Sequence, residues 1–424
     1  MYASDEEDSI DDRQRWSPAT QLCREPLSSL LGKNASATSA PARWIGGSFV
    51  RLLATNMAFG FSISCFYLLP KYLTVNYAAT PGKVGAVMGI FGLTCVLVVP
   101  WLGRAVSGLG LARALFFSQM LMAASSFAFA LVPGVGPAML VLRVLQGLAT
   151  AGVLTAGVTM VCELAPSQKL GQAMGLAGAA SLVMNAIAPA VAEPIGARYG
   201  FAWVFALSGL AAVIGGLVAR KLPARDASAG RASAHPTFIP RRARPILFVL
   251  GSSGAGFYVV MTFLAPLALS RGVDAVRGFF VAYTVAALAI RLLGGAFTDR
   301  LGLRRTAIFG MIAYGGFIAA IAAIGPRSIV LLGLGFGFVH GAIFPALMAL
   351  VFLGTEPAER AQLASLVNGV MNLGMLSVLG FGQLANHLGL VSVFLATGGL
   401  VALSTLLLTR KSARRSSESR ISSS

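Results

Sequence analysis

Charge is missing from most of this chain, and the gaps between charged residues constrain the fold before any motif is read. Nineteen uncharged residues separate Arg51 from Lys71, 20 separate Lys83 from Arg104, and 29 separate Arg113 from Arg143. That third run is broken at Pro133-Gly134-Val135-Gly136-Pro137, which reads as a tight turn. Runs of 19, 23 and 21 follow, from Arg143 to Glu163, Lys169 to Glu193 and Arg198 to Arg220. A helix that crosses a bilayer needs about 20 mostly apolar residues, so the first half contains six spans. After a polar, basic stretch the pattern resumes from Arg244 to Arg271 (26 residues), Arg277 to Asp299 (21, interrupted by Arg291), Arg305 to Arg327 (21) and Arg327 to Glu356 (28). The 49 residues from Arg360 to Arg410 suffice for two helices with a break near His387-Leu388-Gly389. Lipid gives a backbone amide no partner, so these runs must be helices. The expected fold class is an all-α membrane protein with 12 transmembrane helices in two six-helix bundles.

Composition excludes the alternatives. The chain is 56% hydrophobic and 11% charged, against about 25% charged in soluble domains, which rules out a cytosolic enzyme or a disordered chain. Cys23, Cys65, Cys95 and Cys162 are too scattered for a disulfide framework or a zinc site. His235, His340 and His387 form no cluster with acids or a nucleophile, so no catalytic residues, metal or cofactor are expected. Gly108-Leu109-Gly110 and Gly333-Leu334-Gly335 superficially resemble phosphate loops, but no strand precedes them and no Gly-Lys-Ser/Thr follows, so ATP is not expected to bind.

The charges that remain set orientation. Seven of the fifteen acids lie in residues 1–45, a polar stretch without an apolar core, expected to be a disordered cytoplasmic tail rather than a signal peptide. The expected organisation continues with a first bundle over 46–220, a basic cytoplasmic linker over 221–244, a second bundle over 245–410 and a basic tail over 411–424. With both termini inside, the inner connections and tails hold 24 Lys and Arg and the outer ones 6. This excess on one side is the usual topological signal. It also accounts for the net charge of +18 as lipid anchoring, so the bilayer is the expected partner and nucleic acid is not.

The two halves echo each other. Gly103, Gly110 and Arg113 recur 192 positions later as Gly295, Gly302 and Arg305, and Pro166 and Lys169 recur 191 later as Pro357 and Arg360. Duplicated halves with a substrate site at their interface are a transporter architecture. The segment Gly295-Ala-Phe-Thr-Asp299-Arg300-Leu-Gly302-Leu-Arg304-Arg305 resembles the signature loop of the major facilitator superfamily. Leu142-Arg143-Val-Leu-Gln146-Gly147 resembles that family's fourth-span motif. Ala188-Pro189-Ala190-Val191-Ala192, with Tyr199-Gly200-Phe-Ala-Trp203 after it, resembles the fifth-span motif of its exporters, with Ala where that motif has Gly. The resemblance covers about residues 45–410 and points to bacterial twelve-helix efflux-type members. It implies a monomeric protein of the cytoplasmic (inner) membrane that exports a small organic molecule in exchange for protons. Uptake of a sugar or organic anion with protons is the alternative. The sequence departs from the family where Ser107 and Gly108 replace the acid and base of the first-half signature loop, and where the first span carries no acid.

Several residues stand out against this background. Arg143 lies about 10 Å into its span at 1.5 Å per residue, where a charge costs about 2.5 kcal/mol or more unless it faces a cavity or a partner. It is expected to bind substrate or tune proton release, against a structural role capped by carbonyls. Arg291, 14 residues beyond Arg277, either faces the cavity or reaches back to lipid phosphate. Two such arginines point to an anionic substrate. His340, 12 residues past Ser328, and Glu193, near the outer end of its span, are the expected proton carriers. Their bland alternatives are a histidine bonded to a neighbouring helix and a loop carboxylate paired with Arg198. Gln146, Asn56 and Asn185 are expected along the path, as are Tyr67, Tyr258, Asn368 and Asn372, although polar side chains also join helices. Gly295, Asp299, Arg300, Gly302, Arg304 and Arg305 are expected to form a conformational latch, with Asp299 pairing with arginines across the halves in one state.

Overall fold

The computed structural model of the chain describes residues 45–166, 169–224, 243–293, 302–353 and 357–409. All of the expected N-terminal tail except Ile45, the linker from 225 to 242, and the C-terminal tail lie outside the described residues. The rest is helical. The first half holds α1 (Gly47–Tyr77, tightened to a 3-10 turn at Phe66–Leu68), α2 (Pro81–Leu109), α3 (Leu111–Phe129), α4 (Pro137–Leu164), α5 (Leu170–Tyr199) and α6 (Phe201–Ala219). The second holds α7 (Arg244–Ser270), α8 (Arg277–Leu293), α9 (Leu303–Ala320), α10 (Ile329–Phe352), and α11 and α12 within Pro357–Ser404, parted at Gly389. Ten stretches among the described residues are long and apolar enough to cross a membrane. The twelve expected spans agree with these once the Gly369–Thr409 stretch is divided at Gly389 and α8, whose described part stops at Leu293, is added.

Local chemistry sets the ends. Pro81 and Pro137 open α2 and α4, positions where a missing N–H costs nothing. The duplication is written into the connections. Six residues among those described have positive φ, and they fall into three pairs. Ala78 (φ 45) and Gly272 (φ 72) follow the first helix of each half, and Gly110 (φ 80) and Gly302 (φ 78) precede the third. Gly200 (φ 93) and Gly389 (φ 79) separate the fifth from the sixth. Five of the six are glycine because a Cβ penalises that region.

Within each half, helices interlock through small residues and short polar bridges, as they must where lipid supplies no hydrophobic drive. Ser208 on α6 bonds Ser62 on α1 (2.9 Å) and Ser126 on α3 (3.2 Å), and Gln119 on α3 donates to the Thr55 carbonyl (3.1 Å). In the second half α8 packs on α10, α9 on α10 and α12, and α7 on α11, where Gly374 approaches the Ala255 backbone. The halves meet chiefly along two helix pairs, α2 with α11 and α5 with α8. Along the first pair a Cβ on Gly85 would stand 2.8 Å from the Val378 carbonyl and 3.0 Å from the Gly382 Cα. Both obstacles are backbone, so nothing can rotate away. Gly85→Ala is therefore expected to destabilise the protein by about 1–3 kcal/mol, the usual range for overpacking. The check is a lowered melting temperature in detergent, with Gly108→Ala, which meets no atom within 4 Å, unchanged as the control.

Candidate functional site: a cationic cavity between the halves

A cavity of about 380 Å³ opens where the halves face each other. Its walls come from α1, α2, α4 and α5 in the first half and α7, α8, α10 and α11 in the second, so equivalent helices of the two repeats contribute. Most of the wall is aromatic, thioether or aliphatic, including Phe59, Phe91, Tyr258, Met261 and Met375. Thr150, Ser181, Asn185, Thr262 and Asn372 add neutral polar groups. The charged groups are two, Arg143 and Arg291, and no carboxylate lines the cavity among the described residues.

The two arginines are held differently. Arg143 on α4 is 1% exposed. Its Nε donates to the Val87 carbonyl of α2 (3.2 Å), one terminal nitrogen donates to Gln146 Oε1 (2.9 Å), and the other reaches the Met88 sulfur (3.6 Å). The guanidinium also lies over the Phe91 ring at 4.5 Å, a contact worth about 0.5–2 kcal/mol depending on desolvation. Gln146, one turn along, is thus a partner of Arg143 rather than a wall of the cavity, and its own Nε2 is buried without a bond. Arg291 on α8 faces the cavity, over the Phe344 ring at 5.3 Å, and its Nε is buried without a hydrogen-bond partner. Of the two positions the sequence left open for it, the structure shows the inward one.

The remaining expected site residues scatter. Asn185 does line the cavity and accepts a bond from the Ser64 hydroxyl (2.8 Å). Tyr67, Tyr258 and Asn372 line it too, whereas the side chain of Asn368 is outside the described residues. Asn56 does not line it: its side-chain oxygen lies 3.5 Å from where a Cβ on Gly157 of α4 would stand. His340 corrects the expectation of a group on the path. It is buried behind the wall, sharing a hydrogen bond with the Tyr283 hydroxyl (3.0 Å) and stacked on Phe257, Tyr314 and Phe336. The ring is packed as part of the aromatic core of the second half.

Glu193 is likewise not in the cavity, nor paired with Arg198, whose guanidinium covers Tyr199. It is a buried carboxylate of α5 that accepts from Lys71 Nζ of α1 (2.7 Å) and from the backbone N–H groups of Val276 (3.0 Å) and Arg277 (2.7 Å) at the start of α8. Lys71 donates in addition to the Asp274 carbonyl. Spacing in the sequence could not reveal this, because the partners are 122, 83 and 84 residues away. Of the latch residues, Gly295, Asp299 and Arg300 lie outside the described residues. Gly302 caps α9, Arg305 is exposed, and Arg304 donates to the carbonyls of Leu408 and Thr409, within its own half rather than across to the other.

A family profile described as Major Facilitator Superfamily matches residues 52–340 and 246–423. The chain belongs to the major facilitator superfamily. Like other members it is a transporter embedded in the membrane, and the fold agrees. The chain superposes on the nucleoside transporter NupG with a TM-score of 0.68 at 17% identity, covering 86% of this chain and 99% of that one. On the peptide transporter POT in complex with sulfate the TM-score is 0.71 at 15% identity, covering 87% and 94%. Among curated proteins, "Probable anion transporter 7" of Oryza sativa subsp. japonica is 31% identical over 142 residues, 28% of this chain and 32% of that protein. The shared region thus spans about a third of that relative.

The uncompensated charge on Arg143 generates a prediction. Gln146→Glu offers the guanidinium a carboxylate and removes an orphaned donor, whereas Gln146→Leu leaves a buried charge with one partner fewer. Charged hydrogen bonds contribute about 1.5–3 kcal/mol and neutral ones about 0.5–1.5. The glutamate variant is therefore expected to melt above the parent in detergent and the leucine variant below it.

Proposed function

We propose that this transporter carries a small organic anion by alternating access, with the anion's charge met by Arg143 and Arg291. The observation that carries the proposal is the pair of guanidiniums in a shared cavity whose described lining holds no acid. Burying two positive charges without a counter-ion is costly; a site that completes its charge balance with cargo recovers that cost only when loaded. The partial likeness to a rice anion transporter supports the same reading.

The wall narrows the cargo. A site for sugars needs many donors and acceptors, and here aromatic and thioether surface predominates. A cavity of about 380 Å³ holds several times the roughly 30 Å³ of one water, so a small inorganic anion would leave most of that apolar surface wet. An acid with an apolar body fits both features, its charge toward the Arg291 guanidinium, which faces the cavity with no carboxylate in the described lining, and its body against Met261, Met375 and Phe91. Arg143, largely satisfied by the protein, contributes field more than contact.

Export in exchange for protons remains the proposed direction, supported by the exporter-like segment at Pro189 within α5. No acid lines the cavity among the described residues, so proton and anion are proposed to bind at separate places, the proton at Glu193, a carboxylate at the seam between the halves. The charge asymmetry of the connections supports cytoplasmic termini in a bacterial inner membrane. That places the Glu193 end outside, and Asp299 with Arg300 on the inside, where they form the proposed inner latch.

The test is counterflow in proteoliposomes with benzoate, succinate, inorganic phosphate and glucose, under an imposed pH gradient. Benzoate exchange that needs Arg291 and responds to the gradient is the expected result, with Arg291→Gln reducing it at least tenfold and Gln146→Glu weakening it. Glucose transport indifferent to Arg291→Gln would overturn the proposal.

A further inference from the structure

Glu193 has a counterpart in the other half. At the same end of the molecule, the side-chain oxygen of Asn386 on α11 accepts from the backbone N–H of Gly82, in the first turn of α2 (2.9 Å). Helix α11 is the second-half equivalent of α5, and α2 the first-half equivalent of α8. Each half therefore reaches across from its fifth helix and occupies a free backbone donor at the start of the other half's second helix. The first turn of a helix has N–H groups without intrahelical partners, and these are normally satisfied by a residue immediately upstream. Here the partners come from 83 and 304 residues away.

The copies match in role and differ in detail. Glu193 stands seven residues before Gly200, and Asn386 three before Gly389, about one turn nearer its helix end. Glu193 is buried, charged and held by two backbone donors and Lys71; Asn386 is exposed, neutral and held by one. A Cβ on Gly82 would overlap the Asn386 amide, so the close approach needs glycine there. Between these caps and the cavity, the halves also touch through Gly85 with Gly382 and Gly89 with Leu379. Beyond the cavity, among the described residues, a Cβ on Gly175 of α5 or Gly369 of α11 would meet no atom within 4 Å.

We infer that these two crossed caps are the gate at this end, and that Glu193 and Asn386 are positioning residues for alternation. While both caps hold, the second helix of each half is pinned to the fifth helix of the other. Opening this end must release the α8 donors and the α2 donor to water. The Glu193 copy, with more and charged bonds, sets most of the bias toward closure; the Asn386 copy is the weaker and breaks with less penalty. The inference rests on the alternating-access reading and is independent of cargo.

The test measures distance rather than transport, so it separates from the choice of substrate. Spin labels are placed at the exposed positions Val75 and Leu388, in a background where Cys23 and Cys162 are serine, and the full chain is studied in lipid nanodiscs. The parent is expected to show mainly the short distance of the closed end. Asn386→Ala should add a longer population, Glu193→Ala a larger one, and the double variant the largest. Glu193→Asn, which keeps a cap acceptor without charge, should recover part of the short population. A double variant that melts earlier but keeps the parent's distance distribution would overturn the inference, because the contacts would then serve stability alone. Failure of Glu193→Asn to differ from Glu193→Ala would equally overturn the capping role.

Discussion

Hydrocarbon offers neither a hydrogen bond to a backbone amide nor hydration to a charge, and the rest of this structure follows from that double refusal. The first half of the constraint turns every apolar run into a helix. It also explains why so many hydroxyls turn back on their own helix, as Thr94 does to Ile90, Thr159 to Thr155 and Ser181 to Ala177. The second half makes Arg143 informative. A guanidinium at that depth persists only because a carbonyl, an amide and an aromatic face surround it, and even so its charge is left for the cavity.

The duplicated chain places its chemistry unequally on an almost equal scaffold. Positive-φ residues recur at three matching connections, and equivalent helices line the cavity. Yet one arginine comes from the fourth helix of its half and the other from the second, one held by the protein and one with an unpartnered nitrogen. The crossed caps repeat the theme, with a carboxylate in one copy and an amide in the other. On the proposed alternating-access reading, symmetry lets both ends close in a similar way, while asymmetry gives a cargo in the cavity unequal surroundings.

Spans and duplication were legible because they depend on composition and order, which a bilayer reads one helix at a time. The break at Gly389 and the turn from Pro133 to Pro137 could be placed from their residue types alone. The cavity was half legible: depth marked Arg143 and Arg291, because charge in a span is rare enough to demand a reason. Polarity marked Asn185, which lines the cavity, and equally Asn56 and Gln146, which do not, since a polar side chain on a helix declares neither its facing nor its partner. His340 misled for the same reason, its depth being right and its azimuth wrong. The Glu193 clamp was illegible beyond its acid, because the groups it holds are backbone amides, present at every position and informative at none until the fold chooses which remain unpaired.

Closure and cargo meet at one side chain. Met375 both lines the cavity and lies against Gly92, so that a Cβ there would come within 2.7 Å of its Cγ. The roof of the site is therefore also part of the seam between the halves. A rigid β-branched residue at this point would fix the shape of both, whereas an unbranched thioether can repack as its neighbours shift. Glycine on the facing helix leaves it room to do so. If the cargo is the proposed anion, small differences in its shape can be absorbed locally but its charge cannot be replaced, because neither arginine has a carboxylate in the described lining. On the proposed anion reading, this geometry tolerates variety in the body of the cargo and is strict about its sign.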